Sequence, residues 1–182
     1  YKVKRGSSEV YLKDERAMED YLIAGGIDGM TLTGADGAMR AGNDLRSAVE
    51  RARAAKAMIA ALARRVGSRD AVEQAAILGA LDPQLLAEPD KAQAVAEFIA
   101  KRLNVLSPET ERGWTGARGA DGLVFERRLR GEIDRASIDH VTINSVEARR
   151  LVEMAGELQT LYAKRAKLAT KDGTAVDIGG PR

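Results

Sequence analysis

The sequence predicts an α+β fold made of an alanine-rich helical middle, a small antiparallel β-meander and a long return helix. The first observation is the distribution of alanine: the 182-residue chain has 31 alanines, and 18 of them lie between Ala41 and Ala100. Second, 45% of the residues are hydrophobic but only 4% are aromatic, which favours packed helices over sheet. Third, the sequence between Gly113 and Ile143 changes to extended stretches punctuated by glycine.

The first 26 residues predict a β-hairpin followed by a helix. Alternation over residues 1–5, a turn at 6–8 and a second extended stretch over 9–13 are typical of a hairpin. Asp14 is placed to cap the helix, and Gly25-Gly26 is its predicted stop. Because a strand opens the sequence and a glycine-rich loop closes it, we expect these residues to be a piece of a longer chain.

The middle of the chain predicts a second hairpin and then a series of helices. The hairpin occupies residues 29–41, and the strongest helical period runs from a cap at Asn43 to a stop at Gly67. At about 1.5 Å per residue, this helix is roughly 35 Å long. The elements that follow are a helix from about 68 to 81, a turn over 82–86 and a helix over 90–104.

The last third of the chain predicts the meander and the return helix. The meander has strands over 114–118, 123–130 and 132–136, and the glycines at 113, 116, 119, 122 and 131 are interpreted as turn residues. Residues 137–143 fit neither helix nor strand clearly. A capping box over 144–147 opens the return helix, and the tail over 168–178 predicts a third hairpin.

Composition and charge exclude several kinds of site. Without cysteine there is no disulfide, thiol nucleophile, thiolate-bound zinc or iron–sulfur cluster, and the single histidine, His140, excludes a two-histidine metal site within one chain. The net charge is only +2, so any nucleic-acid binding must come from local patches. The longest apolar runs have seven residues, far fewer than the roughly 20 that cross a bilayer. We therefore expect no membrane partner and a cytoplasmic location.

Residues that could form an active site are scarce. His140 follows Ser137 and Asp139 closely in sequence, but a histidine in a turn or on the surface is the better interpretation. Glu132 and Asp134 have the spacing of paired magnesium ligands, yet they lie among arginines in a predicted solvated strand. No glycine-rich phosphate loop is present. We expect no catalytic residue, no metal site and no cofactor in these residues.

Three arginines of the long helix form the first candidate DNA contact. Arg46, Arg53 and Arg64 fall within about 20° of one another around the helix axis, opposite the apolar stripe. Such a row is about 27 Å long and could follow a phosphate backbone. The alternative is an ordinary solvated face on which these arginines alternate with Glu50.

Three arginines of the meander form the second candidate. Arg118, Arg128 and Arg130, together with Trp114, have the basic and aromatic character of surfaces that bind DNA. The alternative is that they pair with acids across the sheet. Strand alternation predicts that the other face of the middle strand carries Leu123, Phe125, Arg127 and Leu129.

The opening residues resemble a known family. The segments Tyr1-Lys2-Val3-Lys4-Arg5-Gly6 and Tyr11-Leu12-Lys13-Asp14-Glu15, with Met18 and Tyr21-Leu22, closely resemble part of the TOPRIM region of the DNA gyrase B subunit, in the type IIA topoisomerases. Many Gram-negative members carry an insertion just after this stretch. The resemblance implies that residues 1–24 are the edge of the TOPRIM region and residues 25–182 the insertion. Its parts would be a mainly helical region (25–106), the meander (107–143) and the return helix with its hairpin tail (144–182).

The resemblance also implies what the chain does. The family's ATP-binding segment and its TOPRIM glutamate and Asp-x-Asp motif have no counterpart in this sequence. The implied function is a non-catalytic insertion domain, a structural buttress and auxiliary DNA contact in an ATP-dependent enzyme that supercoils DNA. The implied partners are the rest of the gyrase B subunit, the gyrase A subunit, and double-stranded DNA, while ATP and Mg²⁺ would belong to the parent enzyme. The alternative is a protein–protein interaction module with no DNA contact; an independent small enzyme is a third hypothesis.

Overall fold

A computed structural model of the chain describes residues 2–5 and 7–181 and confirms the α+β class. The helices are α1 (Glu15–Gly26), α2 (Gly42–Val66), α3 (Arg69–Ile77), α4 (Pro83–Ala87), α5 (Pro89–Leu106), α6 (His140–Ile143) and α7 (Val146–Tyr162), with a 3₁₀ turn at Glu109–Glu111. The strands are β1 (Lys2–Arg5), β2 (Ser8–Tyr11), β3 (Thr31–Thr33), β4 (Met39–Ala41), β5 (Thr115–Arg118), β6 (Leu123–Leu129), β7 (Glu132–Ile138), β8 (Ala166–Ala169) and β9 (Ala175–Ile178). The predictions for Tyr1, Gly6 and Arg182 lie outside the described residues.

The described strands form three antiparallel sheets, in the orders β1-β2, β4-β3-β8-β9 and β5-β6-β7. The first and third were expected from the sequence as a hairpin and a meander. The second joins the hairpin predicted over residues 29–41 to the hairpin predicted in the tail, because Thr31 pairs with Ala169 and Thr33 pairs with Lys167. The chain therefore enters and leaves everything between β3 and β8 through two adjacent strands.

Helix ends follow the predicted cap chemistry, with three shifts. The first is at the end of α1, where the predicted stop Gly25-Gly26 still belongs to the helix and the C-cap is Ile27. Asp14 caps α1 by accepting a hydrogen bond from the Ala17 N–H at 2.8 Å, and Gly67 ends α2 with a left-handed φ of 83°. The predicted cap Asn43 is wrong, because α2 already begins at Gly42. The cap of α7 is Ser145, whose hydroxyl accepts from the Ala148 N–H at 3.2 Å, and not the expected capping box one residue earlier.

The structure corrects two local predictions and assigns one ambiguous stretch. The turn expected over 82–86 is the short helix α4, which the side chain of Asp82 caps. The ambiguous stretch 137–143 ends β7 and then forms α6. Gly116 is a residue of β5 and not of a turn: a Cβ there would overlap the backbone of Ala96 on α5, so only glycine lets the strand lie this close.

The core is centred on α3, which contacts α2, α5 and α7. All seven of its residues from 71 to 77 are buried, including two polar ones, Glu73 and Gln74. The meander sheet covers α5 through β5, with Phe125 fully buried. Together these elements bury one continuous apolar cluster around α3. In the described chain, Ile27 is the first buried residue of this cluster.

A half-buried arginine joins three of the core helices. The Arg102 guanidinium on α5 donates to the Gln74 side chain at 2.5 Å and to the carbonyls of Tyr162 and Ala163, at 3.2 and 2.7 Å, at the end of α7. A cation at a helix C-terminus satisfies carbonyls that have no partner within the helix. Burial lowers the pKa of Arg102 and raises the pKa of Tyr162 to about 12.

Residues 2–26, which we call the N-terminal unit, pack differently from the rest, which we call the body (residues 27–181). None of the described residues of α1 is buried, and Tyr11 and Leu22 are 75% and 57% exposed. Across the described chain, the ion pairs between this unit and the body come from Arg53 on α2. No helix in either of these described parts is long and apolar enough to cross a membrane.

Candidate nucleic-acid interface

The arginine row predicted on α2 is interrupted in the structure. Arg46 and Arg64 are exposed, but the side chain of Arg53 is only 28% exposed and pairs with Glu19 at 2.8 Å and with Asp20. The hydrogen bond to Asp20 is the main cause of the raised pKa of Arg53. The carboxylates of α1 thus neutralise the middle of the row, and a continuous track of three free cations is not present on this face.

The meander arginines divide between the two faces of their sheet. In the β5–β6 pair, Arg118 is directly opposite Leu123, which places it on the face that packs against α5. Arg128 alternates onto the other, outward face and lies opposite Ile133 of β7. Arg130 is exposed at the end of the hairpin. The structure therefore brings Arg128 and Arg130 together at one end of the sheet and separates them from Arg118.

Trp114 belongs to the inward face as well. Its ring lies beneath the Arg127 guanidinium, 4.8 Å from ring centroid to Cζ, and the same guanidinium donates to the Asp134 carboxylate at 2.8 Å. The Glu111 carbonyl accepts a further hydrogen bond from Arg127 at 2.6 Å. Asp134 is thus paired with Arg127 and not with Arg128 or Arg130, so the expected alternative of cross-strand pairing is not what occupies these two arginines.

The outward face of the β6–β7 hairpin is cationic. Arg135 shares this face with Arg128, and Ile133 lies between the two along the sheet with 65% of its surface exposed. The acid on this face is Glu126, whose carboxylate lies 3.5 Å from the Arg135 guanidinium. Sequence reasoning had not selected Ile133 or Arg135, although strict alternation of Glu-Ile-Asp-Arg over 132–135 places both acids on one face and Ile133 and Arg135 on the other.

The hairpin ends in a two-residue turn with both residues in the left-handed region. Arg130 has φ 51° and Gly131 has φ 88°, the pattern of a type I′ turn. Glycine tolerates this conformation, but an arginine there costs about 1 kcal/mol relative to the asparagine or glycine that such turns favour. In the described chain Arg130 is the one non-glycine residue with a positive φ.

The other residues considered as catalytic or metal-binding candidates are not brought together in the described structure. His140 is exposed and its Nδ1 lies 3.0 Å from an Asp121 carboxylate oxygen, while Asp139 instead caps α6 by accepting from the Thr142 N–H. That hydrogen bond lowers the pKa of Asp139. Among residues 2–5 and 7–181, no group of three or more histidine, aspartate or glutamate side chains is arranged to hold a metal ion.

The fold and this surface define a helical α+β body that projects an arginine-bearing β-ribbon and carries a separate hairpin–helix unit at its N-terminus. A family model described as "GyrB, hook" matches residues 1–26, so its last residue is the last residue of the N-terminal unit.

Curated relatives match the chain well beyond that unit. The DNA gyrase B subunit of Caulobacter vibrioides (strain NA1000 / CB15N) is 38% identical over 181 residues, which are 100% of this chain and 21% of the relative. The corresponding proteins of Rickettsia bellii and Rickettsia conorii are 25% and 26% identical over 94% of this chain, again 21% of each relative. The chain is a segment of the DNA gyrase B-subunit type, as its opening residues indicated, and it spans about a fifth of the length of these relatives.

Proposed function

We propose that the chain is a non-catalytic insertion of a DNA gyrase B subunit, which acts in the parent enzyme as a structural buttress and auxiliary DNA contact. The observation that carries the proposal is the pairing of β3 with β8. An inserted body must start and end at neighbouring points of its host, and adjacent antiparallel strands provide this. The division into an edge of TOPRIM (1–24) and an insertion (25–182) remains part of the proposal.

The buttress role rests on the packing of the body. A central helix buried along most of its length and a half-buried arginine that joins three helices give a stiff unit, because close-packed interiors transmit displacement instead of absorbing it. The parent enzyme would hydrolyse ATP with Mg²⁺ and supercoil DNA with the gyrase A subunit as its partner. This body would limit the relative motion of the flanking parts of the B subunit.

The DNA-contact role rests on exposed arginines outside the ion pairs. In the described chain no salt bridge involves Arg46, Arg64, Arg118, Arg128 or Arg130. Neutralising phosphates with such side chains releases counterions and gives affinity that falls steeply with salt. Because Arg53 is paired with the carboxylates of α1, we propose that it positions this helix, and we no longer count it among the candidate DNA contacts.

The test is a deletion in a gyrase B subunit that contains this chain. Thr33 and Lys167 are cross-strand partners, so residues 34–166 can be replaced by a short Gly-Asn turn that keeps β3, residues 167–169 of β8 and the N-terminal unit. In the holoenzyme reconstituted with the A subunit, we expect weaker DNA binding and lower DNA-stimulated ATP turnover, while DNA-independent ATP turnover is retained. Unchanged DNA binding and supercoiling would contradict the proposal.

A second candidate function is contact with protein, and the N-terminal unit favours it. An open groove of about 310 Å³ lies between its hairpin and α1, lined by Val3, Tyr21 and Leu22 among others. The groove and the exposed Tyr11 would pair with other parts of the parent protein. Retention of the chain on duplex DNA that weakens with rising salt supports the DNA role, whereas no retention at any salt favours a purely protein-binding module.

A further inference from the structure

We infer that the β6–β7 hairpin is the DNA-contacting element of this chain: its outward face and tip, formed by Arg128, Arg130, Ile133 and Arg135, lie along duplex DNA. This surface is called the ribbon below. The inference rests on the proposed auxiliary DNA role and goes beyond it, because it selects one element and excludes the α2 row as the main contact.

The two faces of the hairpin differ in charge. The acids Glu132 and Asp134 alternate onto the inward face, where Asp134 is held by Arg127. The outward face carries Arg128 and Arg135 against the single acid Glu126. A two-stranded ribbon with one cationic face matches the charge of a polyphosphate surface and fits the width of a DNA groove.

An exposed isoleucine lies between the arginines of the outward face. Ile133 is 65% exposed, and it is directly opposite Arg128. Basic side chains that flank an apolar one are typical of ribbons and arms that reach DNA bases and sugars between phosphate contacts. An acidic protein surface would pair with the arginines but would leave this central position without a use.

The tip of the hairpin has an unfavourable backbone conformation. Arg130 occupies a left-handed position that favours asparagine or glycine, so it carries a conformational cost without an ion pair in the described residues that would offset it. A strained residue at an exposed position is a reason to look for a ligand. At the tip, Arg130 extends the cationic surface beyond the last cross-strand pair.

Arginines at the end of the neighbouring helix α2 add to the positive charge. The C-terminal end of α2 lies against β7, since a Cβ built on Gly67 would be 3.6 Å from the Arg135 carbonyl oxygen. Arg64 and Arg65 are exposed in the last turn of that helix. The predicted contact Arg64 is three residues before the point where α2 approaches β7, whereas Arg46 lies toward the opposite end of this 25-residue helix.

The experiment measures binding of the 182-residue chain to a fluorescent duplex of about 20 base pairs by anisotropy, between about 50 and 200 mM salt. The test variant is the double substitution Arg128→Gln/Arg130→Asn. The matched control, Lys56→Gln/Lys101→Gln, removes the same charge from exposed positions of α2 and α5 that are not among the candidate contacts. Circular dichroism and thermal unfolding confirm that each variant is folded.

We expect the ribbon variant to bind at least tenfold more weakly at about 0.1 M salt, with the log–log salt slope reduced by roughly 1.8, while the control changes affinity less than about threefold. Glu126→Gln should bind more tightly than the parent chain. The Asn-Gly turn should raise the thermal midpoint, so a loss of affinity cannot be attributed to unfolding.

The outcomes separate the inference from the proposed function. If the chain binds duplex and the two double variants bind equally, or the control variant is weakened more, the ribbon is not the contact and only the inference fails. If the chain binds no duplex at any salt, the auxiliary DNA role fails and the inference fails with it. A selective loss in the ribbon variant supports both.

Discussion

The N-terminal unit and the body differ in how they obtain their stability. The body buries an apolar cluster around α3, whereas α1 buries none of its described residues and its hairpin is a two-stranded sheet. Isolated two-stranded hairpins are marginally stable in water. The unit is held to the body by the Arg53 ion pairs and by the partly buried Ile23, which packs against the core cluster, so we expect it to be less stable than the body.

The largest test of this contrast is a core truncation. Phe125 is fully buried, so Phe125→Ala should lower the free energy of unfolding by about 3–5 kcal/mol, measured by urea denaturation. The matched control is Leu22→Ala in the N-terminal unit, where a side chain that is 57% exposed should change it by less than about 0.5 kcal/mol. Comparable losses at the two positions would show that the two regions share one core.

The next effect is expected from a buried tyrosine at high pH. The pKa of Tyr162 is about 12 against an ordinary 10.0, chiefly because burial disfavours the phenolate. Folding stability from this group is therefore complete below pH 10 and is lost as the pH rises through 12, by about 3 kcal/mol in total. The difference between the parent chain and Tyr162→Phe in alkaline urea denaturation isolates it. A difference that does not vary with pH would mean that Tyr162 is not buried in the body.

Two equivalent caps give a smaller and sharper comparison. Ser145 caps α7 in the body and Asp14 caps α1 in the N-terminal unit, each by accepting an N–H three residues later. Ser145→Ala should cost about 1 kcal/mol of global stability. Asp14→Ala should leave the global transition unchanged and instead speed amide exchange in α1, because that helix opens separately. Equal shifts of the global midpoint would refute separate opening.

The smallest effect is expected at the link between the two regions. Arg53→Gln removes the ion pairs to Glu19 and Asp20, which are partly exposed and therefore contribute little to stability. Amide exchange over residues 2–26 should become faster, and the effect should shrink in the parent chain as salt screens the pairs. The control Arg46→Gln changes an exposed arginine on the same helix and should leave exchange in the unit as it was.

Sequence reasoning succeeded where structure is set by neighbouring residues. Asp14, Gly67 and the alternation of β6 each depend on contacts a few residues away, and each was placed correctly. The four-stranded sheet was not predicted, because β3 and β8 are more than 130 residues apart and short strands do not specify partners at that distance.

The candidate site shows the same limit. Helix periodicity grouped Arg46, Arg53 and Arg64 on one face, but it carries no information about the carboxylates of α1 that occupy Arg53. Arg118 was grouped with Arg128 because both lie in the meander, whereas the cross-strand register decides which face each occupies. The signal for the ribbon was present in the alternation over 132–135, and reading it required knowing which face was buried.

The arrangement of β3, β8 and β9 also determines how the body withstands tension. The chain reaches the sheet at Thr31 and, after β8 turns back into β9, leaves it at Ile178, next to Ala166 at the opposite end. Pulling on the two flanking segments therefore loads the strands lengthwise, in shear, so that their hydrogen bonds resist together and do not open one after another. An attachment of this geometry spreads the load over all of its cross-strand hydrogen bonds, although its strands have only three or four residues.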